Sequence, residues 1–192
     1  MKNKLAFLLL AAGFACAAFS GCSSGSPAES SGTASQSVSQ SGTKKLTDLA
    51  AEDIDGNEFS LNDTISGGKV TMINVWGTFC GPCLSEMPAL ESLNQKYKNQ
   101  GLNIVGMTCD INYNGEINQE ASKDAKEIRK ELGITYPLIV ETSEMDALLP
   151  TDVVPATFFF DSNGNQIGDT VFGSQSEEDW EKLIKSCLAA QG

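Results

Sequence analysis

The chain has 192 residues, with 13 basic and 25 acidic side chains and a formal charge of −12. An acidic surface of this kind argues against nucleic acid and against electrostatic docking on anionic lipid. Histidine is absent, which removes the commonest general base and metal ligand together.

The N-terminus reads Met-Lys-Asn-Lys, then LAFLLLAAGFACAAF at residues 5–19. A positive start followed by an apolar run of about 15 residues has the length of a secretory leader and is short for a membrane span. Ser20-Gly21-Cys22 follows, and small residues before a cysteine resemble a bacterial lipobox, with Phe19 where that motif usually has Leu. Residues 1–21 are therefore expected to be a lipoprotein signal peptide and Cys22 the lipidated N-terminus; a plain signal peptide cut nearby is the alternative. Without Lys2 and Lys4 the mature chain keeps 11 basic side chains against 25 acidic, a charge of −14. Residues 22–43 form the expected tether, since SSGSPAESSGTASQSVSQSGT has almost nothing to bury. A coil of that length spans about 25 Å r.m.s.. Residues 44–192 are left as one domain, large enough for a real core.

Within that domain strand and helix signals alternate. Residues 49–61 read as a short hairpin turned at Asp55-Gly56-Asn57, and residues 70–76 as a buried strand. From Pro82 to about Asn99 the pattern is helical, with Leu84, Met87, Leu90, Leu93 and Tyr97 on one side and Gly101 as the stop. A buried strand is predicted at 102–109, a loop at 110–118, a charged helix at 120–132 ended by Gly133, a strand at 134–140 and a helical turn at 143–149. Residues 154–161 (VPATFFFD) read as a strand, 162–165 (SNGN) as a turn and 166–172 as the returning strand. Ser176 caps a last helix whose Trp180, Leu183, Ile184, Cys187 and Leu188 share a face. Alternation first and a hairpin last predict an α/β fold, a mixed sheet with helices on both faces.

Of six cysteines, Cys16 leaves with the leader and Cys22 is the expected lipid site, so Cys80, Cys83, Cys109 and Cys187 remain. Cys80 and Cys83 bracket a strand-to-helix junction, with Pro82 suited to the first helical turn. Cys80 would face the free N–H groups and positive end of the helix, which favours its thiolate. Cys83, one turn on, is better shielded; Cys80 is thus the expected nucleophile and Cys83 the resolver. A zinc site would need two more ligands from Cys109, Cys187 or carboxylates. An inert disulfide over so short a loop would constrain the unfolded chain little. The strand–CxxC–helix setting favours a redox couple. Cys109 and Cys187 are expected to stay separate buried thiols. Cys187 lies about 16 Å along the last helix from its start, beyond the reach of about 7 Å that a disulfide allows.

Trp76-Gly-Thr-Phe-Cys80-Gly-Pro-Cys83 resembles the thioredoxin active site, and Pro88 matches the proline that kinks the helix there. Val154-Pro155-Ala-Thr-Phe resembles the family's cis-proline segment. With the export signal, the N-terminal hairpin and Glu86-Met-Pro88 after the second cysteine, the chain is similar to the TlpA-like, membrane-anchored extracytoplasmic branch over about residues 46–192. The resemblance implies a thioredoxin fold with an added N-terminal β-hairpin. It implies a substrate surface from Trp76, Gly81, Pro82, Val154 and Pro155, the backbone of Val154 pairing with an extended client. It also implies a proton acceptor for Cys83 at Glu86, because Asn74 stands where cytoplasmic thioredoxins have an ionisable Asp. Glu86 lies at i+3 from Cys83, and burial would raise its pKa; a solvated helix residue is the alternative.

The Gly-Pro between the cysteines, and the lack of a histidine to hold a thiolate as an ion pair, favour a reductant over an oxidant. The expectation is a monomeric reductase, lipid-anchored outside the cell membrane, with no metal and no cofactor beyond the Cys80–Cys83 disulfide. Its substrates would be disulfides of exported proteins, of the apocytochrome c or methionine sulfoxide reductase type, and its electron source a membrane thiol donor of the CcdA type. The competing classes are an exported oxidase or isomerase and a non-enzymatic binding lipoprotein.

Overall fold

The computed structural model describes residues 45–192. The leader, Cys22 and the tether lie outside the described residues. After a 3-10 turn at Leu46–Asp48, strands β1 (Ala51–Glu52) and β2 (Glu58–Phe59) form the expected hairpin. The Asp53 carboxylate closes its turn by accepting from the backbone N–H groups of Asp55 and Asn57, each at 2.9 Å. Helix α1 (Leu61–Ser66) is one the sequence reading did not assign. Ser60 caps it by accepting from Asp63 N, and Leu61 and Ile65, four apart, are its buried pair.

Strand β3 (Val70–Trp76) is buried at every position, as predicted. Helix α2 (Gly81–Tyr97) follows, continues as a 3-10 turn and stops at Gly101, whose φ of 97° a side chain would resist. Met87, Leu90, Leu93 and Tyr97 are its buried ridge. Strand β4 (Leu102–Thr108) runs parallel to β3, with Trp76 opposite Thr108. Residues 110–118 are not a plain loop. They hold a hairpin, β5 (Asn112–Tyr113) and β6 (Glu116–Ile117), turned at Asn114-Gly115 with φ of 53° and 91°. Helix α3 (Gln119–Glu131), capped by Asn118, matches the charged helix.

Strand β7 is only Leu138–Val140, shorter than expected. The N–H groups before it are spent elsewhere: Ile134 N donates to Arg129 O at 3.0 Å and Thr135 N to Glu91 Oε2 at 2.8 Å. Helix α4 (Ser143–Leu148) and strand β8 (Ala156–Asp161) follow. The returning strand is also interrupted. Gln166 bridges Phe160, Gly168 takes a φ of 67°, and pairing resumes only as β9 (Val171–Phe172). Helix α5 (Glu177–Ala190) begins at the Ser176 cap, as predicted.

The main sheet has the order β7-β4-β3-β8-β9, parallel from β7 to β3 and antiparallel beyond. Two successive crossovers step the same way across it, from β3 to β4 and from β4 to β7. Right-handedness then puts α2 and α3 on one face, and α5 joins them around Met72, Trp76, Trp180 and Ile184. The other face is covered by the N-terminal turn, α1 and α4 around Ile73, Val105 and Phe158. The first hairpin shields the β7 edge, where Ile54 N donates to Leu138 O at 3.0 Å. The mixed sheet with helices on both faces is thus as expected.

Candidate active site

The site lies where β3 ends and α2 begins. Cys80 is the N-cap of α2, with extended backbone, and its Sγ accepts from Cys83 N at 3.2 Å. That is the use of the free N–H groups that the sequence suggested. Cys80 and Cys83 form a disulfide with Cα atoms 5.3 Å apart. Cys83 has no exposure and Cys80 is 5% exposed, so an incoming group meets Cys80 first. Gly81 and Pro82 are exposed beside it.

One turn on, Glu86 is 3% exposed rather than solvated. Its carboxylate accepts from Asn74 Nδ2 at 3.0 Å, from Gln175 N at 3.1 Å and from the Trp180 indole at 3.1 Å. Burial holds its pKa above the ordinary 4.5, against those three donors. Asn74 also donates to Thr157 Oγ1 at 3.0 Å. The carboxylate is therefore fixed by β3, by the loop before α5 and by α5 itself.

The Val154–Pro155 peptide is cis. Strand β8 starts at Ala156, opposite Val75, so Val154 and Pro155 stand just outside the ladder at the end where Cys80 lies. Gly173 N donates to Pro155 O at 2.8 Å. Trp76 is placed differently from the expectation of a substrate surface. Its side chain has no exposure and packs in the core, because β3 turns it toward α2. The aromatic that does reach solvent is Phe79, directly before Cys80 and 72% exposed. Sequence reading passed over it, although a lone aromatic in Thr-Phe-Cys was the available signal. It also missed the clamp on this loop, where the Asp110 carboxylate accepts from Thr78 N at 3.0 Å and from the Thr78 hydroxyl.

Cys109 and Cys187 are free and half-buried. Cys187 packs with the α2 and α5 side of the sheet and Cys109 with the other, so the sheet itself separates them. Cys109 borders a polar cavity of about 270 Å³ between the β5–β6 hairpin and the start of α4, with Glu141 and Asp146 also on its wall. Burial, then Glu141 and Asp110, pushes the Cys109 thiol up to about 12. Burial, then Asp146, pushes the Glu141 carboxyl up to about 7. Burial and the neighbouring carboxylates thus disfavour the Cys109 thiolate. Among the described residues no group of three or more His, Cys, Asp or Glu side chains is placed to hold a metal ion. No helix among them is long and apolar enough to cross a membrane.

The family model for AhpC/TSA proteins matches residues 43–165. The chain is 29% identical over 141 residues to the thiol-disulfide oxidoreductase ResA of Geobacillus kaustophilus, covering 72% of this chain and 74% of that one. It is 26% identical over 141 residues to the thioredoxin-like protein YneN of Bacillus subtilis, covering 73% and 77%. A thiol:disulfide interchange protein of the thioredoxin family from Chlorobium tepidum superposes with a TM-score of 0.61 at 25% identity, over 73% of this chain and 92% of that one. The matched residues, the thioredoxin fold and the CxxC at a helix N-cap agree: the chain belongs to the AhpC/TSA family, as a ResA-like, TlpA-like member of the thioredoxin superfamily.

Proposed function

We propose that this protein is a thiol-disulfide oxidoreductase that works as a reductase on exported protein disulfides. The observation that carries it is Cys80 Sγ at the α2 N-terminus, disulfide-bonded to a fully buried Cys83. In the reduced enzyme the Cys80 thiolate attacks one sulfur of a client disulfide, forming a mixed disulfide and expelling one client thiolate. Glu86 takes the proton of the Cys83 thiol. The Cys83 thiolate then attacks Cys80 Sγ, closing the Cys80–Cys83 disulfide and releasing the second client thiolate. Two electrons pass to the client, and the released thiolates take protons from solvent. A membrane thiol donor of the CcdA type restores the dithiol. Lipidation at Cys22 and a tether through residue 43 would hold the domain outside the membrane while it searches. Clients of the apocytochrome c or methionine sulfoxide reductase type fit this reading.

The test is the reduction potential of the Cys80–Cys83 couple in the full chain, in glutathione and dithiothreitol buffers. A value near that of thioredoxin, about −270 mV or lower, supports a reductase. A value near −120 mV overturns the direction and makes the same residues a disulfide-forming oxidant. In the same preparation a Cys83→Ser variant should accumulate covalent client complexes through Cys80. Equal trapping by Cys80→Ser would refute the order of attack.

A further inference from the structure

Five large apolar side chains among the described residues are strongly exposed: Phe79, Tyr113, Ile117, Val153 and Phe172. The topology brings all five to one end of the sheet. Phe79 follows the C-terminal end of β3, and Tyr113 and Ile117 sit on the hairpin after the parallel end of β4. Val153 precedes β8, whose first residue faces Val75 near the end of β3. Phe172 closes β9 opposite that same first residue, Ala156. The apolar residues thus follow the sheet order β4-β3-β8-β9 at the end that carries Cys80. Four adjacent strands span about 15 Å, the reach of an extended segment of about five residues. Exposed apolar groups gathered at one end mark an interaction surface, whereas scattered ones would not.

The charge of this end is as one-sided as its apolar content. The segments that form it, residues 77–81, 109–119, 141–146, 150–155 and 172–176, contain six carboxylates and no lysine or arginine. Glu116, beside Ile117, and Asp152, beside Val153, are exposed. The nearest basic residue past the hairpin is Lys123, one turn into α3. Such a surface attracts a cationic partner and repels an anionic one.

We propose that this end selects clients whose cysteine pair lies in an extended segment flanked by apolar and basic residues. The apolar groups seat the segment, and the carboxylates engage its lysines and arginines. This rests on the redox reading above and narrows its substrate class.

The test uses the full chain in its dithiol form and three disulfide-closed peptides of equal length. One has Leu and Lys flanks, one Leu and Glu, and one Ser and Lys. Hydroxyethyl disulfide, small and uncharged, serves as the control substrate. At low ionic strength the Leu/Lys peptide should be reduced with a kcat/KM about tenfold above either of the others. Its advantage over the Leu/Glu peptide should shrink at about 0.5 M salt. The Glu116→Lys/Asp152→Lys double variant should invert the preference between Lys and Glu flanks, and a Phe79→Ser variant should lose preference for Leu over Ser. Equal rates for the three peptides, with hydroxyethyl disulfide turned over, overturn the inference alone. No turnover of any substrate refutes the redox reading, and the inference falls with it. A concentration-dependent dimer that Phe79→Ser abolishes overturns it in favour of a second copy on this surface.

Discussion

Replacing Glu141 by Gln should stabilise the protein at alkaline pH and leave it unchanged in acid. Glu141 directly follows β7 at the wall of the 270 Å³ cavity, and its Oε1 is buried without a protein hydrogen-bond partner. Burial, then Asp146, lifts its pKa from 4.5 to about 7. A raised carboxyl pKa means that the folded state binds the proton more tightly than the unfolded chain does. Its contribution is therefore fully present below about pH 4.5 and is lost as pH rises through about 7. A shift of about 2.5 units at 1.36 kcal/mol each sets an upper bound of about 3.4 kcal/mol. Because the side chain keeps some solvent contact, about 2 kcal/mol is the working figure. In a domain of this size that is a Tm difference of about 4–8 °C. Thermal unfolding of the oxidised full chain, followed by circular dichroism at pH 4.5 and pH 8.5, provides the measurement. Glu141→Gln should melt higher than the parent only at pH 8.5. A gap of equal size at both pH values would show a packing effect instead, and no gap at pH 8.5 would refute the burial argument.

Glu86→Gln should slow release of the mixed disulfide by about 10²-fold or more and remove its dependence on pH near the carboxyl pKa. Stopped-flow tryptophan fluorescence during reduction of a disulfide client, with Cys83 intact, measures this, and an unchanged profile would remove Glu86 from the mechanism. Gly106→Ala should destabilise by about 1–3 kcal/mol. The new Cβ would sit 2.5 Å from Leu138 Cδ2 and 3.2 Å from Trp76 Nε1, on a central strand that cannot step aside. Urea unfolding would show it, and a variant as stable as the parent would mean that Leu138 has another rotamer to take.

Much of this architecture is legible because it is written locally. The buried strands β3 and β4 are continuous apolar runs, and α2 and α5 show their core faces at helical spacing. The cysteines and Pro82 fix the N-terminus of α2 within a few residues. What stayed hidden depends on distant partners. Residues 134–137 look like strand, yet their N–H groups go to Arg129 and Glu91. The β5–β6 hairpin has only its Asn114-Gly115 turn to announce it, since strands of two residues carry no periodicity. Glu86 was a candidate by its position, but its donors lie 12, 89 and 94 residues away. Whether Trp76 or Phe79 meets solvent is decided by where β3 stops, and both are simply aromatic in the sequence.

The three donors on Glu86 also set an order in time. A chain made from its N-terminus has both cysteines long before it has Trp180, which follows Glu86 by 94 residues. A helix docks stably only once its packing partners exist. Until α5 settles against α2, Glu86 lacks two of its three hydrogen-bond donors and the shelter that raises its pKa. The nascent dithiol therefore has no tuned base for its second thiol. Full exchange chemistry arrives with the last element of the fold, so a half-folded copy is a poor catalyst of thiol exchange with its neighbours.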